Sequence, residues 1–65
     1  MSINELDHSM HEVRKPLNRI SMQAELIKML ASDSPELQEA ADKILVNVQD
    51  CSTQLQHIHQ KLSAE

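Results

Sequence analysis

The sequence has no glycine and no aromatic residue, and only two prolines and one cysteine among 65 residues. Without glycine there is no Gly-rich loop to cradle a nucleotide phosphate, so the chain itself is expected to bind neither ATP nor Mg. Without aromatics there are no large rings to anchor a core, and a chain of this length buries only about 60% of its unfolded surface. A single domain over residues 1–65 is the most it can form. The lone thiol, Cys51, allows no internal disulfide, which suits a reducing, cytoplasmic setting. Lys and Arg number six against ten Asp and Glu, for a net charge of −4. That shortage of positive charge argues against nucleic acid as a partner. No apolar run approaches the ~20 residues of a membrane span and no secretory signal is evident, so no membrane contact is expected.

What is abundant favours helix: Leu, Ile, Val, Ala and Met, with Glu, Gln and Lys. Apolar residues recur at Ile3, Leu6, Met10, Val13, Leu17, Ile20, Ala24, Ile27 and Ala31, the alternating three-and-four spacing of a packed seam. A second series runs Leu37, Ala41, Ile44, Val48, Cys51, Leu55, Ile58 and Leu62. Between them Ser32-Asp33-Ser34-Pro35 is the one turn signal; Ser34 suits a helix cap, Pro35 a first helical turn, and Glu36 and Glu39 the positive end of the helix dipole. The pattern predicts helix 1 over about 3–31, a turn at 32–35 and helix 2 over about 35–63. The fold is therefore all-α, an antiparallel two-helix hairpin. Met22, Leu26, Met29 and Leu30 add apolar surface outside the first seam, and Leu45 outside the second. Two helices cannot cover that surplus, so a homodimer closing into a four-helix bundle is expected, with Cys51 buried as a small seam residue.

One segment departs from this regularity. Pro16 interrupts a good helical pattern, removing a backbone hydrogen bond to the Glu12 carbonyl at a cost of about 3 kcal/mol or more. Beside that carbonyl is His11, one position past the seam and directed toward solvent. Asp7, His8, Arg14, Lys15 and Asn18 lie three or four residues, or one heptad, from His11 and surround it. Neutral imidazole is a competent nucleophile and free imidazole titrates near pH 6.5. Glu12 or Asp7 could orient the ring, and the basic neighbours could offset the charge of an incoming phosphoryl group. The residues alone leave open whether His11 reacts or is merely solvated. Metal binding is not expected: His8 and His11, or His57 and His59, form no closed ligand set.

His11-Glu12-Val13-Arg14-Lys15-Pro16-Leu17 closely resembles the H-box of two-component sensor histidine kinases: His, Glu or Asp, any residue, Arg, any residue, Pro, then Leu or Phe. The hairpin also resembles that family's dimerisation and histidine-phosphotransfer domain along nearly the whole chain. The resemblance implies that His11 is the phosphoacceptor, Glu12 its acid–base partner and Pro16 a helix kink. Arg14, Lys15, Asn18 and Arg19 would contact the phosphoryl group or a partner. It also implies a separate ATP-binding kinase domain, which would supply ATP and Mg, and a response-regulator receiver domain whose aspartate takes the phosphoryl group. Lys15 stands where many members have Thr or Asn, which implies weak phosphatase activity. The chain would be a piece of a larger kinase or a free-standing acceptor. The alternative function is a non-catalytic dimerisation or antikinase hairpin, which would not need the His11-Glu12 pair.

Overall fold

The computed structural model describes residues 2–64. Two helices make up almost all of it, α1 over Ile3–Leu30 and α2 over Pro35–Ser63, packed against one another as a hairpin. Helix α1 starts at Ser2, whose extended backbone turns its hydroxyl to accept the Glu5 N–H at 3.1 Å. Helix α2 starts in the same way, Ser34 accepting the Leu37 N–H at 3.3 Å with Pro35 in the first turn. Each hydroxyl satisfies one of the orphan donors that a helix start leaves exposed.

Ending α1 is harder, because the usual left-handed glycine cap is missing and no described residue has a positive φ. Ala31 closes the helix with φ −113° and ψ 40°, donating to the Ile27 carbonyl at 2.9 Å. The Ser34 N–H then reaches back to the Ala31 carbonyl at 3.1 Å. Gln38, in the first turns of α2, supplies the rest: its Nε2 donates to the Lys28 carbonyl at 2.6 Å and to the Ala31 carbonyl at 3.0 Å. A side chain of the second helix thus caps the first and ties the turn down. The sequence reading did not single out Gln38.

Helix α1 continues through Pro16 without interruption. The prolyl nitrogen still lacks a hydrogen, so the Glu12 carbonyl loses its helical donor.

The seams need correction. On α1 the inward positions are Leu6, Met10, Leu17, Ser21, Ala24, Lys28 and Ala31, while Val13, Ile20 and Ile27 stay about 40% exposed. On α2 the inward positions are Gln38, Ala41, Leu45, Val48, Ser52, Leu55 and His59. Leu37, Ile44, Cys51 and Ile58, expected in the seam, lie on the neighbouring column and are exposed. Cys51 is therefore not a buried residue of the hairpin, and Leu45 belongs to the inner face rather than to the surplus. The reason is geometric. Periodicity locates the centre of a broad apolar arc, but the single contact line between two helices uses only one side of it.

That choice gives the hairpin two unlike flanks. On one, Lys28 Nζ meets Asp42 at 2.7 Å, Arg14 donates to Gln56 at 2.9 Å, and His59 meets Asp7 at 2.5 Å. Lys28 and Arg14 are two heptads apart, as are Asp42 and Gln56, so the antiparallel register holds without slip. The hydrogen bond with Asp42, and then its charge, hold the Lys28 ammonium above the ordinary lysine range. What that pair adds to stability is present below the ordinary lysine value and is lost as pH rises through the raised one. The other flank is apolar, with Val13, Ile20 and Ile27 of α1 beside Leu37, Ile44, Cys51 and Ile58 of α2.

Gln38→Met keeps the side chain's length and removes its donors. It is expected to cost about 1–3 kcal/mol, the net worth of two neutral hydrogen bonds, read as a lower urea midpoint with an unchanged slope. An unchanged midpoint would show that water caps α1 equally well.

Candidate functional site

Helix spacing sorts the residues around His11 into those that share a surface and those that do not. His11 and Asn18 occupy one column of α1, a heptad apart, on the edge of the polar flank, and both are exposed. Asp7 and Arg14 occupy the adjacent column, closer to α2. Across the helix interface stand Gln56 and His59. Asp7, Met10, His11, Arg14, Gln56 and His59 together line an open groove of about 280 Å³. Arg14 and Gln56 also border a second polar groove of about 320 Å³, which continues toward Gln49, His57 and Gln60.

Two helix-2 side chains hold the groove's charged groups in place. The Gln56 amide oxygen accepts from Arg14 Nη2 at 2.9 Å. His59, at an inward seam position where an unpaired imidazole would be costly, is bonded through Nε2 to Asp7. Asp7 was one of two carboxylates expected to orient His11. It faces His59 instead, because the antiparallel packing brings that ring within reach from a position distant in sequence.

The other expected carboxylate, Glu12, sits two columns round from His11, beyond that of Lys15, and its Oε1 takes a hydrogen bond from Lys15 Nζ at 3.1 Å. Both partners are about half exposed, and such surface pairs are worth only about 0–1 kcal/mol. Either side chain is therefore released at little cost. Arg19 lies in the column of Glu12, and His8 in that of Lys15, so both face outward from α1 and away from the groove. The structure thus brings together Asp7, His11 and Arg14, sets Asn18 a heptad away, and leaves Glu12, Lys15 and Arg19 on the outer face. Pro16 lies farther round, toward the apolar flank.

Sequence reasoning missed Gln56 altogether and considered His59 only as a metal ligand, not as the partner of Asp7. Their only signal was polarity in or beside an apolar column of α2, visible once the seam is read through positions 45, 52 and 59. Among the described residues no group of three His, Cys, Asp or Glu side chains could hold a metal ion, and no helix is long and apolar enough to cross a membrane.

The arrangement is that of a helical hairpin displaying an exposed histidine in one groove with a guanidinium held across the hairpin, and a carboxylate one residue away in sequence. The family model of the His Kinase A (phospho-acceptor) domain matches residues 4–62, and the chain belongs to that family. It is thus a phosphoacceptor-type, dimerisation-type domain of histidine kinases. No curated protein and no solved structure matches the chain.

Proposed function

We propose that His11 receives a phosphoryl group from an ATP-binding kinase domain and passes it to an aspartate of a response-regulator receiver domain. The observation that carries this reading is the position of His11, exposed at an open groove on the polar flank, beside Arg14. A ring nitrogen of neutral His11 attacks the γ-phosphorus of ATP, the bond to the ADP oxygen breaks, and ADP leaves with that electron pair. Glu12, released from Lys15, accepts the proton on the other ring nitrogen, so the product does not carry a full imidazolium charge. In the second step a receiver carboxylate oxygen attacks the phosphorus. The N–P bond breaks, its electron pair returns to the ring, and Glu12 gives back the proton, restoring neutral His11. Consumption of ATP supports a cytoplasmic reaction, as does the unpaired thiol of Cys51.

The second half of the proposal is a homodimer closed through the apolar flank. Among the described residues the buried hydrophobics are Leu6, Ala24 and Ala41, too small a core to hold two helices in water. The chain exposes 5116 Å², whereas a compact monomer of 7.4 kDa exposes about 4200 Å². The excess, roughly 900 Å², is close to the ~800 Å² that each partner buries in a standard interface. Covering Val13, Ile20, Ile27, Leu37, Ile44 and Ile58 this way leaves His11 open, because it lies on the opposite flank.

Light scattering is expected to give a dimeric mass, and Ile44→Glu or Ile27→Glu to give a monomer with much reduced helicity. A monomeric wild type with full helicity at micromolar concentration overturns the dimer.

With a histidine-kinase ATP-binding domain supplied in trans, the acid-labile label is expected on His11 and to vanish in His11→Gln. Glu12→Gln is expected to slow labelling by roughly 10²–10⁴, the usual worth of a positioned acid–base group. Label on His8, or undiminished label in His11→Gln, refutes the assignment.

Lys15 bears on the reverse reaction. Its ammonium offers donors and no acceptor, so it cannot take a proton from a water attacking the receiver's aspartyl phosphate. The phosphorylated regulator is expected to live longer with the wild-type domain than with Lys15→Thr. Equal lifetimes would remove Lys15 from any phosphatase defect.

A further inference from the structure

We propose that Gln56 is a positioning residue of the phosphoryl site, holding the Arg14 guanidinium beside His11 with most of its N–H donors left for a phosphoryl group on that ring. The inference rests on the reading of His11 as the phosphoacceptor. It concerns a residue of α2, outside the H-box.

Three observations carry it. Arg14 and His11 lie one turn apart on α1 and line the same open groove. An arginine on an exposed helix surface samples many rotamers, and ordering one costs conformational entropy. Here Arg14 is held across the hairpin by the Gln56 carbonyl oxygen at 2.9 Å from Nη2, so much of that ordering is complete before a phosphoryl group arrives. The holding group is also neutral. A guanidinium presents five donors in a planar fork and keeps its charge at every physiological pH. Gln56 occupies one donor and neutralises nothing, whereas a glutamate there would fix Arg14 equally well and cancel the charge a phosphoryl dianion needs. The nearest carboxylate facing the groove, Asp7, is itself engaged by His59. Among the described residues Arg14 is in no ion pair, its bond across the hairpin going to a neutral amide, while the other polar-flank cation, Lys28, is paired with Asp42.

The test needs no kinase domain. Phosphoramidate ion phosphorylates histidine directly: the ring nitrogen attacks phosphorus, the P–N bond of the donor breaks, and ammonia leaves with a proton. The rate at His11 is followed by mass spectrometry relative to His8, which faces outward from α1 and serves as internal reference. Gln56→Met removes the acceptor at constant length. Gln56→Glu keeps the bridge and adds a negative charge. Both are expected to lower the His11-to-His8 rate ratio about tenfold, near the worth of one charge-assisted hydrogen bond. Helicity is expected to be unchanged in both, and neither is expected to lower the ratio further in an Arg14→Ala background.

A merely structural bridge gives another pattern, with Gln56→Glu as fast as wild type, or with losses that persist in full without Arg14. Either result overturns the proposal, as does an unchanged ratio in Gln56→Met. Labelling from ATP by a kinase domain in trans is a separate measurement. If it spares His11, the phosphoacceptor reading fails, whatever the ratio shows.

Discussion

Everything in this hairpin is conditioned by the narrowness of the contact that two helices can make. Among the described residues a single line of packing between α1 and α2 buries one leucine and two alanines, and at about 25 cal/mol per Å² that cannot offset the ordering of so many residues. Small residues at the closest approach, Ala24 and Ala41, let the helices come together but contribute little area. The apolar area that could stabilise the fold therefore lies on the flank, turned away from the hairpin's own interface. That imbalance separates two tasks: the apolar flank is available for assembly, and the polar flank for chemistry.

The polar flank shows how an antiparallel pair gathers a site from distant sequence. Arg14 and Gln56 are 42 residues apart and Asp7 and His59 are 52 apart, yet each pair meets because the two helices run antiparallel side by side along their whole length. The H-box residues split according to helix geometry. His11 and Arg14 face the groove, and Glu12 and Lys15 pair on the outer face. Moving Glu12 toward His11 means breaking one exposed ion pair, a small cost beside the barrier of a phosphoryl transfer.

Much of this was legible in the sequence. Ser34-Pro35 marked the start of α2, the heptads gave two helices and their antiparallel packing, and His11 was correctly read as solvent-facing. Three things were not legible, each for a physical reason. Cys51 and Leu45 were exchanged between inner face and edge, because adjacent columns of a wide apolar arc look alike until a neighbour is placed against one of them. Gln38 was passed over because its role exists only when the end of α1 lies beside it, in a chain whose lack of glycine removes the ordinary cap. Gln56 and His59 showed only as polar residues in or beside an apolar column, since neither spacing nor propensity records a partner on another helix.

The lacing of the hairpin has a mechanical consequence. Lys28–Asp42, Arg14–Gln56 and Asp7–His59 all cross on the same side, while among the described residues no side-chain hydrogen bond or ion pair crosses the opposite, apolar side. Such a pair has unequal stiffness in its two directions of opening. Prising apart the laced edge breaks short-range directional bonds at once, whereas widening the other edge meets a resistance that grows only gradually with the area wetted. The laced polar margin is thus the stiffer edge of the hairpin, and His11 lies one column out from it on α1.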